Sequence, residues 1–168
     1  MPQTLKKRLG LTRDLHGGEA VLLALSVAAA DLGATVERIF RSHGLTHVHY
    51  AILRMLRGAG DRGLRHAEIV ERLLLGSPDV TRHMKRLEAK GWVTRLRAAE
   101  DRRVVVHRIA RKGLTKLQDL DEPLGTAYDL ILREMGDAAA AEVVECCERV
   151  LRTARRMNAS AGRRRTRR

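Results

Sequence analysis

The chain is poor in aromatic side chains: Phe40, Tyr50, Trp92 and Tyr128 are all it has. Proteins that hold single-stranded nucleic acid stack bases on such rings, so this chain lacks the platform for that mode. Cysteine is as scarce, and the two present, Cys146 and Cys147, are neighbours. Adjacent residues on a helix point about 100° apart, which excludes an ordinary structural disulfide between them. The longest apolar stretch, Ala20 to Ala30, is broken by Ser26 and falls short of a bilayer's thickness. The opening "MPQTLKKRLG" has basic residues but no following signal-peptide cleavage pattern. A cytoplasmic protein with no membrane partner is expected. There is no C-x-x-C, H-E-x-x-H, Gly-rich phosphate loop or visible nucleophile–base pair. No enzyme chemistry, cofactor or metal is therefore expected.

What the chain does carry is positive charge. Its 168 residues hold 33 Lys and Arg against 20 Asp and Glu, a net charge of +13. The length suits one compact domain, or a small domain with extra helices. So basic a chain points to a polyanionic partner. With base stacking excluded, that partner is double-stranded DNA, met by basic and polar side chains.

Hydrophobic periodicity predicts a mainly helical protein. Val21, Leu25, Ala28, Leu32, Val36 and Ile39 recur at three- and four-residue steps along a long first helix ended by Gly44. Thr46 caps a second helix, with Tyr50, Leu53 and Leu56 on its apolar face. A third, over "LRHAEIVERLLLG", turns Ile69, Val70, Leu73 and Leu74 inward and stops at Gly76. Ser77 is a favoured cap and Pro78 is tolerated at a first helical position, so a fourth helix restarts there at once. It buries Val80, Met84 and Leu87 and ends at Gly91. "WVTRLR" and "VVVHRI" form a hairpin around "AAED". Helix resumes from Gly113, with Leu114, Leu117, Leu124, Tyr128, Ile131 and Met135 inward, and Pro123 is expected to kink or interrupt it. Asp137 starts a last helix with the stripe Ala140, Val143, Val144, Cys147, Val150, Leu151 and Ala154. The closing "NASAGRRRTRR" reads as a disordered basic tail.

Two helices joined by a tight turn, the second basic on its outer face, make a helix-turn-helix. On the fourth helix Asp79, Arg82, His83 and Arg86 share the face opposite the buried positions, with Thr81 and Lys85 at its flank. A major groove admits one such helix, and arginine bonded bidentately to guanine gives about 1–3 kcal/mol of discrimination. Asp79, near the helix start, is read as opposing the helix dipole rather than as accepting from cytosine. Any solvated helix has a charged face, but here a hairpin follows directly and completes a winged helix-turn-helix. Asp61 to Lys112 holds 14 Lys and Arg against 7 Asp and Glu, a net +7. Arg102 and Arg103 stand at the hairpin tip, where arginine does nothing for a core, so the tip is expected to touch phosphates or the minor groove. The expected DNA-binding residues are Ser77, Asp79, Thr81, Arg82, Lys85, Arg86, Arg102 and Arg103.

The stretch "VTRHMKRLEAKGWVTRLRAAEDRRVVVHRIARKG" resembles the signature region of the MarR family of bacterial transcription regulators. The matching pieces are "VTR…RLE", "KGWV" and the Asp-x-Arg pattern of Asp101 and Arg103; "GLTHVHYAILRML" resembles the family's second helix. The resemblance implies a homodimer with interlocked first and last two helices, reading a pseudo-palindromic operator. It implies a repressor, often released from DNA by a small phenolic or oxidised effector. It also implies that Arg103 is the wing arginine and Asp101 its orienting partner. Residues 1–44 and 114–158 are then dimerisation helices, 45–113 the winged DNA-binding domain and 159–168 the tail. Two departures stand out. Ile109-Ala110 replaces the family's Leu-Thr, removing a helix cap worth about 1 kcal/mol, and Pro123 interrupts the fifth helix.

Self-association also follows without the family. The stripes of the first and last helices are too long for one small winged domain to cover, and bare stripes are an aggregation hazard. Two alternatives stay open: an architectural protein that coats duplex without sequence choice, and a redox- or metal-responsive regulator of the same fold. His43, His47 and His49 cluster, and imidazole suits Zn or Ni, but residues two apart cannot share a helix face. A capping or solvated role is the reading adopted. Cys147, on the apolar stripe, is expected as a buried structural thiol, and Cys146 sits beside Glu145, which disfavours a thiolate. The Arg-rich tail either adds non-specific DNA affinity by counterion release or is simply solvated.

Overall fold

The computed structural model describes residues 3–73, 79–97 and 104–165, and of 159–165 the backbone alone. The chain divides into two compact units, Met1–Leu124 and Gly125–Arg168.

The first unit begins with α1 (Gln3–Leu9), a short basic helix that periodicity did not signal, and α2 (Gly17–Ser42). The Arg8 guanidinium clasps the Asp31 carboxylate of α2 with two bonds, of 3.1 and 2.8 Å. Folded, α2 has 26 residues, and its most apolar window has a mean hydropathy of 1.6. By length and composition alone it could cross a bilayer, which the short run Ala20–Ala30 understates. Interface helices of water-soluble proteins pass the same test, so the length by itself assigns no membrane.

Next comes α3 (His47–Ala59), capped as expected by Thr46, whose hydroxyl accepts from His49 N at 3.2 Å. A short 3-10 turn (Gly60–Arg62) leads into β1 (Leu64–Arg65), a two-residue strand the sequence did not reveal. Gly63 permits that entry: its φ is +65°, and a Cβ there would lie 2.5 Å from the His107 carbonyl. α4 (His66–Arg72) follows, its start secured by Glu68, which accepts from Arg65 N at 2.8 Å. Ile69 and Leu73 are buried as expected, but Val70 is 46% exposed. In a helix this short, one apolar stripe about 100° wide suffices, and Val70 lies off it.

α5 (Val80–Ala89) buries the three expected residues, Val80, Met84 and Leu87. β2 (Val93–Arg97) and β3 (Val105–Ile109) are the expected hairpin arms, paired antiparallel from Val93–Ile109 to Arg97–Val105. β1 adds to the far side of β3, giving the order β1-β3-β2. α6 (Arg111–Gln118) begins where the lost cap predicted difficulty: Ala110 holds the N-cap position with no side-chain bond. Its carbonyl still accepts from Gly113 N and Leu114 N, at 2.9 and 3.0 Å, so the backbone alone starts the helix. Gly113 is needed for another reason. A Cβ at this position would collide with the Trp92 carbonyl and the Ile109 side chain.

The core of this unit is formed by Phe40 of α2, Leu45, Ile52, Leu53 and Leu56 of the α3 region, Leu64, Ile69, Leu87 and Val93, closed by Leu117, Leu120 and Leu124. The interruption expected at Pro123 is present just ahead of it: α6 ends at Gln118 and a new helix starts at Asp121. The chain turns at Asp119–Leu120, and α7 (Asp121–Met135) starts so that Pro123 occupies its first turn, where a backbone N–H has no intrahelical partner to lose.

The second unit contains the rest of α7 and α8 (Asp137–Arg165). Helix therefore continues seven residues into the stretch expected as tail, and Ala159 and Ala161 favour that extension. Within this chain the α8 stripe is bare: Val143, Val144, Val150 and Leu151 are exposed, and Cys147 is half-buried rather than a buried thiol.

Candidate nucleic-acid interface

The face of α5 opposite Val80, Met84 and Leu87 exposes Thr81, Arg82, Lys85 and Arg86. The N-cap is Asp79 and not Ser77. One Asp79 carboxylate oxygen accepts from Arg82 N at 3.1 Å, and the other lies 2.8 Å from Arg82 Nε. Asp79 thus satisfies an orphan N–H and opposes the dipole, while holding the Arg82 guanidinium at the head of the helix. Ser77, Asp101, Arg102 and Arg103 lie outside the described residues. Of the remaining candidates, Thr81, Arg82, Lys85 and Arg86 are brought onto one helix surface, with Asp79 as their cap.

His83 departs from expectation. It does not share the outer face; its Nδ1 lies 3.2 Å from Nε2 of His49 on α3, and the rings meet edge to face with centroids 5.1 Å apart. His49 is only 5% exposed, and its Nδ1 has no hydrogen-bond partner among the described residues. Burial, followed by unfavourable charge interaction with His83, Lys90 and Arg86, holds the His49 pKa down at about 4. Burial, then Arg82 and Arg86, also lowers that of His83. Both rings are neutral near pH 7 and share one N–H between them. An unpaired buried acceptor costs less than an unpaired donor, which places that hydrogen on His49 Nε2.

A second tie lies at the other end of α5. Lys90 Nζ donates to the Gly44 carbonyl at 2.9 Å and sits 4.4 Å from the centre of the Trp92 ring. α5 is thus fastened twice to the corner between α2 and α3. That corner is itself pinned by Glu37, which accepts from His47 N at 3.0 Å. The three histidines of the sequence cluster therefore diverge: His43 Nδ1 lies 2.9 Å from the Ile39 carbonyl, His47 packs edge-on to Phe40, and His49 turns toward His83. Among the described residues no three His, Cys, Asp or Glu side chains are placed to hold a metal.

Between α5 and the sheet is a cleft of about 370 Å³, edged by Thr81, Lys85 and Glu88 of α5, His66 of α4, Arg95 of β2 and His107 of β3. His107 is 4% exposed, with Nδ1 3.2 Å from the Glu88 carboxylate. Burial lowers its pKa and outweighs the pull of Glu88. On the hairpin Arg95 and Arg97 are exposed, so β2 extends the positive surface of α5. The ties from His83 and Lys90, and the burial of His107 against Glu88, are not legible in the sequence. Each joins residues far apart in the chain, and no local pattern signals them.

A sequence profile of the MarR family matches residues 43–104. Over 132 residues the chain is 29% identical to the HTH-type transcriptional regulator MhqR of Bacillus subtilis (strain 168), covering 79% of this chain and 87% of that one. A crystal structure of a MarR transcription factor from Planctomyces limnophilus is 31% identical, with a TM-score of 0.61 over 84% of this chain and 99% of the other. The transcriptional repressor CouR, solved bound to a 23-mer DNA duplex, shares the fold with a TM-score of 0.69 and 21% identity, covering 83% of this chain and 99% of that chain.

Proposed function

The chain belongs to the MarR family of transcription regulators, and from that premise we propose that it acts as a homodimeric repressor of a pseudo-palindromic operator, released by a small-molecule effector. One observation carries the reading: α5 buries Val80, Met84 and Leu87 while Arg82, Lys85 and Arg86 stand exposed beside a basic hairpin. A helix so arranged enters a major groove, where Arg86 and Arg82 reach base edges and Lys85 and Thr81 the backbone. Arg103, oriented by Asp101, and Arg102 serve the minor groove. The DNA-bound repressor of the same fold supports this use of the surface.

The dimer is supported by bare apolar residues on the helices assigned to it. Leu22 is 64% exposed on α2, as are Val144 on α8 at 69% and Leu151 at 54%. A second copy covers these stripes and sets two recognition helices about one turn of DNA apart. Residues 1–44 and 114–158 do this work, and 45–113 bind DNA. Such a partner places the protein in the cytoplasm.

Mobility-shift titration of the DNA upstream of the chain's own gene, in competition with random duplex at physiological salt, tests the proposal. A preference of roughly 10³-fold or more is expected, and Arg86→Ala should erode it. Arg103→Ala should weaken binding and lower its salt dependence. Equal affinity for both duplexes would identify an architectural coat protein, and a monomer in sedimentation would end the operator geometry.

A further inference from the structure

From Arg149 to Arg168 the chain holds nine arginines, no lysine and no acidic side chain. That is +9 of a net +13, concentrated in 20 residues. The structure makes the first part of this segment helix rather than tail. At about 100° per residue, Arg149, Arg152 and Arg156 fall on one face of α8, with Arg155 at its flank. The apolar stripe, Val143, Cys147, Val150, Leu151 and Ala154, falls on the opposite face. All four arginines are exposed. Their contacts are local: Arg149 to Cys146 Sγ at 3.0 Å, Arg152 to Glu148 at 3.3 Å and Arg156 to Thr153 at 3.4 Å. Exposed pairs of this kind hold a guanidinium only weakly.

We propose that the arginine face of α8 formed by Arg149, Arg152, Arg155 and Arg156 is a second surface for duplex DNA, gripping phosphates outside those met by the recognition helix and wing. The proposal rests on the duplex-DNA reading above and extends it to residues that reading does not use. Three observations favour DNA over other occupants. Guanidinium forks match phosphate oxygens, and α8 contains no aromatic residue, which disfavours single-stranded RNA held by stacking. The cations oppose the stripe that a second copy covers, so dimerisation leaves them outward. Finally, the helix's own glutamates, Glu142, Glu145 and Glu148, lie on the polar side with the arginines, not on the stripe. A partner packed on the stripe therefore does not bring acids against arginines. Those acids repel phosphate, which confines the binding surface to the part of the helix beyond Glu148.

The test is R149Q/R152Q/R155Q/R156Q in the full chain, titrated by fluorescence anisotropy against a mixed-sequence duplex of roughly four helical turns from about 50 to 200 mM salt. The slope of log K against log salt should fall by about 0.9 for each phosphate the variant no longer neutralises, hence by two or more for the dimer. Affinity for operator and mixed duplex should fall by the same factor, because phosphate contacts carry no sequence information. The matching Arg→Lys variant should restore the slope. Should the glutamine variant lose helicity or dissociate, the smaller R152Q/R156Q, within the same face, is read in the same way. An unmoved slope overturns the proposal. So does an unmoved slope with lost binding to phosphatidylglycerol vesicles, which would assign the face to membranes. Wild-type protein that ignores duplex at low salt sinks the winged-domain reading itself. Wild type that discriminates operator while the variant's slope stays put sinks this inference alone.

Discussion

His49 Nε2 and His83 Nδ1 lie 3.2 Å apart, joining α3 to α5 through one shared hydrogen. Protonating either ring sets an imidazolium beside Arg86 and Lys90, and protonating both sets two cations against each other. The folded pKa of His49, about 4, is below its ordinary value of 6.5. The unfolded chain therefore binds more protons between those values, and stability rises with pH there. The contribution is fully present above pH 6.5 and is lost as pH falls toward 4; it amounts to at most about 3 kcal/mol. Urea midpoints measured across that range should fall on acidification, and His49→Gln should flatten the dependence. An equally steep curve in the variant would assign it elsewhere, with buried His107 the next candidate.

Lys90 ties the end of α5 to the Gly44 carbonyl, and its expected role is to position α5 rather than to bind DNA. Lys90→Met should cost about 1 kcal/mol of stability and weaken operator binding several-fold, with the salt slope unchanged. A slope lower by about 0.9 would instead make Lys90 a phosphate ligand.

Asp79 caps α5 through Arg82 N and pairs with the Arg82 side chain. Asp79→Ala should destabilise the protein by about 1 kcal/mol, and Asp79→Ser, which keeps an acceptor, by much less. Both remove a negative charge at the groove-facing end, so random-sequence affinity should rise in both. Thermal melts and anisotropy titrations separate the two effects. Equal melts for Ala and Ser would mean that the cap bond carries no weight.

Gly113 sits inside α6, where alanine ordinarily stabilises a helix by about 1 kcal/mol. Here the added methyl meets the Trp92 carbonyl and the Ile109 side chain. Gly113→Ala should therefore destabilise, by about 1–3 kcal/mol as for an overpacked core. A raised melting temperature would refute the close approach between the base of the wing and α6.

Periodicity along the chain was enough to place the long helices, the buried trio Val80, Met84 and Leu87, the hairpin arms and the exposed cations of α5. Those features depend on neighbours three, four or two residues apart, and a side chain's face follows from that spacing alone. The missing cap at Ala110 was legible only through the resemblance to the MarR family, which has threonine there. Only tertiary structure turned His83 inward, tied Lys90 to Gly44, buried His107 beside Glu88, added β1 to the sheet and made Gly113 indispensable. His49 and His83 are 34 residues apart, and Lys90 and Gly44 46. Such bonds exist only once the core has brought the elements together, because a hydrogen bond requires a distance and an angle that no one-dimensional pattern contains.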